Sequence, residues 1–306
     1  MARVAGRLPA WALGLLCATG PVAAQTIPQG DVFTDSYDVS AVLIPVTVRD
    51  AKGVPIAHLT QDRFDLRIDG IRFPIRSFWR EGGLPLSLAF VIDVSGSMNG
   101  RRLAQVKAVV AEFLRQFRPD DEVSLITFGA DEVRRVLPFG AGASRVAGVV
   151  DELKGYGTTA LFDTVSQAPL FMEGARHDRR AIVLFTDGVD TASQLSGPEA
   201  ARILESLNEP LYGFGIEPPP PEPGQDDSYE ALLTRLADAS GGRYLKAATV
   251  AELGPLARQL RRELTARYII AFQPSGVGSV QWRRIEVLVK GRYQVFAREG
   301  YRGTLP

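Results

Sequence analysis

Apolar side chains fall at every second position over Val42, Ile44, Val46 and Val48, the period of a half-buried strand, and Pro45 inside this run predicts an edge or a bulge. Asp50-Ala51-Lys52-Gly53 then reads as a turn. Phe64, Leu66 and Ile68 alternate again, Asp69-Gly70 is a two-residue hairpin signal, and Ile71, Phe73 and Ile75 alternate on the return. The far end has the same texture: Tyr268 to Phe272 is one strand, Ile285, Val287 and Val289 mark another, and Tyr293, Val295 and Ala297 suggest a third. Neither end alone buries a stable core, so residues 38–80 and 266–306 are expected to pack together as a small accessory β domain.

Between them, residues 84–265 alternate between strand and helix patterns. Leu86 to Ile92 is a nearly continuous apolar run, as in a strand buried on both faces of a parallel sheet. Leu103, Val106, Val110, Phe113 and Phe117 then recur at helical spacing, with Arg102, Lys107, Glu112 and Arg115 on the other face. Strands are expected at Val123 to Phe128, Val133 to Phe139, Ala181 to Phe185 and Leu211 to Ile216. Helices are expected at Ser144 to Leu153, from Ala160 until Pro169 stops or kinks it, at Glu199 to Leu207, around Tyr229 to Leu236 and at Leu253 to Leu264. This order predicts an α/β fold: a doubly wound, mostly parallel sheet flanked by helices, with ligands at the carboxyl ends of the strands.

Composition narrows the partners. The 306 residues carry 35 Lys and Arg against 35 Asp and Glu, a balance that implies no face for nucleic acid. Arg3 and Arg7 precede a mostly apolar stretch, Leu8 to Val22, which ends in Val22-Ala23-Ala24 before Gln25. This is the pattern of a signal peptide over residues 1–24, with residues 25–37 as a loose leader. The apolar run is interrupted by Gly14, Gly20 and Pro21 and is short of the ~20 residues that a membrane span needs. The expected mature chain therefore has no transmembrane segment and is periplasmic or secreted. Cys17, the one cysteine, lies inside the expected signal peptide, so the mature chain is expected to have no thiol for a disulfide, a metal or nucleophilic catalysis.

Candidate chemistry gathers where strands end. Leu86 to Ile92 runs into Asp93-Val94-Ser95-Gly96-Ser97-Met98, so the Asp93 carboxylate and the Ser95 and Ser97 hydroxyls share one loop. Thr159, in Gly157-Thr158-Thr159-Ala160-Leu161, precedes a helix, and Asp187, in Phe185-Thr186-Asp187-Gly188, follows a strand. Hard oxygen donors of this kind suit Mg²⁺, with Mn²⁺ or Ca²⁺ as alternatives, and do not suit Zn²⁺. In this order and on these elements, the three segments resemble the metal-ion-dependent adhesion site of von Willebrand factor type A domains. The flanks, Val46 to Gly53, Phe64-x-Leu66-x-Ile68-x-Gly70, Arg284 to Val289 and Arg298-Glu299-Gly300-Tyr301, resemble a bacterial group of exported proteins with that domain. The resemblance implies a divalent ion held by Asp93, Ser95, Ser97, Thr159 and Asp187, and a partner protein that donates an acidic side chain to complete the shell. It favours Thr159 over the adjacent Thr158 because Thr159 directly precedes Ala160-Leu161. In some relatives the last helix slides to switch affinity, and the helix at Leu253 to Leu264 resembles it.

Enzyme chemistry finds less support. His58 and His177 stand in no catalytic frame, and Gly140-Ala141-Gly142-Ala143 reads as a linker rather than a dinucleotide loop. The expectation is a non-enzymatic, metal-dependent binding module. The alternatives are a metal-dependent phosphatase or hydrolase built on Asp93 and Asp187, and a structural subunit of an envelope assembly. The run from Pro218 to Pro223 with Gln225-Asp226-Asp227 is a long polar loop, either facing a partner or simply solvated.

Overall fold

The alternating segment near the start forms strands, but they are divided between two sheets. The computed structural model describes residues 41–130, 132–219, 228–247, 249–274 and 282–302, all within one unit, Val39–Pro306. The expected signal peptide and leader, Cys17 and residues 220–227 lie outside the described residues. Strand β1 (Val42–Arg49) is followed by the Asp50 to Gly53 turn, where the Asp50 carboxylate accepts the Lys52 and Val54 N–H groups. Strands β2 (Phe64–Ile68) and β3 (Ile71–Phe73) form the hairpin, with Asp69 and Gly70 both at positive φ, as a right-twisted two-residue turn requires. The expected alternation to Ile75 stops at Phe73. Pro74 has no N–H to extend the ladder, and the chain crosses to β4 (Ser77–Arg80) in the other sheet.

The central layer follows. Its elements are β5 (Leu86–Asp93), α1 (Arg101–Arg115), β6 (Glu122–Gly129), β7 (Glu132–Leu137), α2 (Ala143–Glu152), α3 (Leu161–Ser166) and α4 (Ala168–Phe171). Next come β8 (Arg179–Thr186), α5 (Gly197–Leu204), β9 (Leu211–Gly215), α6 (Tyr229–Ala239), β10 (Arg243–Lys246) and α7 (Val250–Ala266). The sheet order is β10-β9-β8-β5-β6-β7, parallel throughout apart from β7, whose short link to β6 permits only an antiparallel return. The unbroken apolar run of β5 serves two cores. Leu86, Leu88, Phe90 and Ile92 pack with α1, α2 and α7, while Ala89 and Val91 pack with α3 to α6. At ~1.5–3 kcal/mol for each buried large side chain, these two layers supply the main drive for folding. Pro169 falls in the first turn of α4, which is why the helix begun at Leu161 ends at Ser166. Strand β10, four residues long at the sheet edge, has no apolar period and was not expected.

Strands β11 (Tyr268–Phe272), β12 (Trp282–Val289), β13 (Gln294–Phe296) and β14 (Gly300–Arg302) complete the accessory domain. Its sheets, β13-β1-β11-β4 and β14-β12-β2-β3, enclose a core of Ile44, Val46, Val48, Phe64, Leu66, Ile68, Tyr268, Ile270, Phe272, Ile285 and Val287. Pro45 lies in an interior strand. It is tolerated because β13 pairs only with Thr47 to Arg49 and leaves the flank at Pro45 unpaired. Buried ion pairs knit the sandwich to the central layer: Glu263 of α7 holds Arg49 of β1 and Arg243 of β10, and Arg267 pairs with Glu81. Among the described residues, no helix is long and apolar enough to cross a membrane.

Candidate metal centre

From β5 the chain departs through α1 to β6 on one flank, and later returns as β8 on the other. The carboxyl ends of β5 and β8 therefore meet at a topological switch point, where a parallel sheet opens a crevice for a ligand. Asp93 is the last residue of β5 and Asp187 immediately follows β8, and both are fully buried.

Asp93 is held from two sides: its Oδ1 accepts the Ser95 N–H at 2.9 Å, and its Oδ2 accepts the Thr186 hydroxyl at 2.7 Å. Burial pushes its carboxyl up to about 6, against the pull of the Ser95 and Thr186 hydrogen bonds, and the nearby Asp187 adds to the rise. Ser95 is buried and opens the short 3-10 turn Gly96–Met98, with its Oγ 3.2 Å from that of the exposed Ser97. The Gly96 N–H donates to the Gly157 carbonyl at 2.9 Å, and a side chain at Gly157 would meet Ala130 Cβ at 2.4 Å, so glycine is what lets these loops close up. Thr159 is buried and Thr158 exposed. Thr159 donates its N–H to Thr191 Oγ1 at 2.9 Å, and its carbonyl accepts the N–H groups of Thr191 and Ala192. The loops carrying Asp93, Thr159 and Asp187 are thus laced together by backbone hydrogen bonds.

Asp187 differs from Asp93. Its Oδ1 accepts the Val189 N–H at 3.1 Å, but its fully buried Oδ2 has no hydrogen-bond partner. That oxygen stands 3.2 Å from Arg102 Nη1, an ion pair without hydrogen-bond geometry. A buried carboxylate oxygen that faces a cation without a hydrogen bond is incompletely satisfied, and a closer cation would satisfy it. A second carboxylate and three hydroxyls on the adjoining loops make an all-oxygen donor set, so the residues present fit a hard divalent ion. The set relies on hydroxyls: among the described residues, no three carboxylate, imidazole or thiol groups cluster as metal ligands.

Sequence reasoning missed three supporting residues. Thr186 and Thr191 act through contacts visible only once β8 and its loop are in place. Arg102 was assigned to the solvent face of α1, yet a signal existed: Arg101 and Arg102 open a helix with no acidic residue in its first turn, where the dipole disfavours cations and calls for anionic neighbours. Neither histidine lies here. The His177 N–H donates to Ser87 Oγ at the opposite end of β5, and His58 is in the segment between β1 and β2.

A family model described as von Willebrand factor type A domain matches residues 88–189. The human inter-alpha-trypsin inhibitor heavy chain H4 is 23% identical over 234 residues, covering 70% of this chain and 24% of that protein. The chain spans less than a quarter of the length of the curated relatives it matches. Among solved structures, a von Willebrand factor type A protein from Catenulispora acidiphila aligns with a TM-score of 0.47 and 15% identity, over 88% of this chain and 75% of that one. The vWF domain of the type V pili tip protein Mfa5 from Porphyromonas gingivalis aligns with a TM-score of 0.45 and 11% identity, over 58% and 94%.

Proposed function

Because the central layer of this chain is a von Willebrand factor type A domain, we propose that the protein is an exported, non-enzymatic binding module that grips an acidic side chain of a partner protein through a divalent cation. The residues that would hold the ion are Asp93, Ser95, Ser97, Thr159 and Asp187, and Mg²⁺ is the first choice, ahead of Mn²⁺ and Ca²⁺. The observation that carries this reading is the buried Asp187 Oδ2, which lacks a hydrogen-bond partner at the switch point opposite the buried Asp93. When bound, the ion supplies the positive charge that an incoming carboxylate needs. Asp93, Ser95, Ser97, Thr159 and Asp187 would hold the ion, partly through water, and its remaining positive charge would attract an outside carboxylate. Thr186 orients Asp93, Thr191 fixes the Thr159 backbone, and the Ser95 N–H steadies Asp93 Oδ1.

The rival hydrolase reading needs a general base beside the two carboxylates, and no histidine stands at this edge among the described residues. The test is a pull-down from the host's envelope proteins with the purified chain, in Mg²⁺ and in EDTA, with Asp93→Ala as the control. A partner retained only with Mg²⁺ and intact Asp93 supports the proposal. A metal-indifferent partner favours the structural-subunit reading, and phosphatase turnover that vanishes in Asp187→Ala favours the hydrolase.

A further inference from the structure

Arg101 and Arg102 sit in the first turn of α1, where the helix dipole is positive, and each finds its anion beyond the helix. Arg101 pairs with the Glu217 carboxylate at 2.9 Å from a well-exposed position. Arg102 reaches across the loop edge instead, with its side chain only 25% exposed. Its Nη1 donates to the Ser97 carbonyl at 2.8 Å and stands 3.2 Å from Asp187 Oδ2, while its Nη2 donates to the Glu217 carbonyl at 3.0 Å. One guanidinium thus ties the loop after β5, the end of β8 and the segment after β9. Glu217 is held at φ 45°, a left-handed conformation that a non-glycine residue adopts at a cost, and its carboxylate also accepts Gln105 Nε2 at 2.5 Å.

We propose that Arg102 is the built-in counter-cation of the ion site: it neutralises Asp187 in the metal-free chain, and a divalent ion displaces it. This rests on the ion-site reading above and adds a regulatory step to it. A buried carboxylate is stable in its ionised form only with a cation at hand, and Arg102 is the one that the fold aims at Asp187. A dication and a guanidinium on the same carboxylate oxygen repel strongly in a buried setting, so the two occupants exclude each other. Leaving Asp187 moves Nη1 off the Ser97 carbonyl and Nη2 off the Glu217 carbonyl. Ion occupancy is thereby communicated to the segment after β9, about 120 residues along the chain from the metal loop. The arginine lowers apparent ion affinity and keeps the empty site folded.

The test is calorimetric titration of Mg²⁺ and Mn²⁺ into the metal-free parent, Arg102→Met, Arg102→Gln and Arg101→Ala, with the thermal midpoint of each in EDTA and in saturating Mg²⁺. Arg102→Met keeps the aliphatic stem and removes the charge. Its ion affinity should rise by about fivefold or more, the scale of a coupling between two mutually exclusive occupants. Its midpoint in EDTA should fall below the parent's, and Mg²⁺ should raise it by more than it raises the parent's. Arg102→Gln repeats the test with a polar side chain. Arg101→Ala, which removes a neighbouring positive charge that does not touch Asp187, should stay near the parent. Binding that appears only in the Arg102 variants also supports the proposal. If the parent binds the ion and the Arg102 variants bind it no tighter, Arg102 does not compete and the proposal fails while the ion site stands. If neither the parent nor the Arg102 variants bind an ion, the ion-site reading itself fails and takes the counter-cation with it.

Discussion

Thr186 does two things with one buried hydroxyl: it donates to Asp93 Oδ2 at 2.7 Å and accepts the Gly188 N–H at 3.0 Å. Thr186→Val keeps the shape and leaves both partners unsatisfied, so urea unfolding should show a loss of about 1–3 kcal/mol, with weaker Mg²⁺ binding alongside. Gly157 stands at φ 76° against Ala130. Gly157→Ala should push the Thr159 loop away from Gly96 and reduce ion affinity in a titration by about tenfold or more, since even small misplacement of a donor is costly. Parent-like affinity in that variant would show that the Thr159 loop does not contribute. At this scale the sequence displays the candidate donors, because Asp93, Ser95 and Ser97 fall within five residues of one another and Asp187 directly follows an unmistakable buried strand. Their supports were hidden. Thr191 acts on Thr159 from 32 residues away and Arg102 acts on Asp187 across the site, contacts that no local pattern encodes.

Strand β5 and helix α1 were legible because each has a clean period, continuous for a strand fed into two cores and three-to-four for a one-sided helix. Strands β10 and β14 were not, being four and three residues long at sheet edges, too short to show any period. The division of β3 and β4 between two sheets was also unseen, since it depends on Pro74 and on which partner strand is nearer. Helix α6 carries an electrostatic conflict: Asp238, in its last turn, is pushed up to about 6 by burial and by Glu299, and it also sits at the negative end of the helix dipole. Between pH ~4 and ~6 the folded chain holds a proton that the unfolded chain has released, so this group removes stability as pH rises through that window. Asp238→Asn should therefore be more stable than the parent above pH ~6 and indistinguishable from it below pH ~4, in urea unfolding across that range. The opposite slope, a variant that loses stability as pH rises, would mean that Asp238 gains a cationic partner instead.

The molecule as a whole joins a central α/β layer to a sandwich built from both flanks of that layer, and its seam is ionic. Glu263, fully buried in α7, holds Arg49 of the sandwich and Arg243 of the central sheet. Glu263→Gln leaves the buried Arg49 and the partly buried Arg243 without their counter-charge, and should cost about 3–5 kcal/mol in chemical unfolding. If the loss is small, water reaches the seam and the two layers are only loosely coupled. That the segments flanking the central layer form one β domain was legible from matching alternation, whereas the ion pairs at the seam were not, because a glutamate in a helix and arginines on or beside strands read equally well as solvated positions. Ion binding at the switch point between β5 and β8 is tested most directly by crystallography: crystals of the purified chain soaked in Mn²⁺, with an anomalous difference map. A single strong peak is expected, bounded by Asp93, Ser95, Ser97, Thr159 and Asp187, with Arg102 withdrawn from Asp187. A map without a peak there at saturating Mn²⁺, or with Mn²⁺ bound elsewhere and Arg102 still on Asp187, would contradict it.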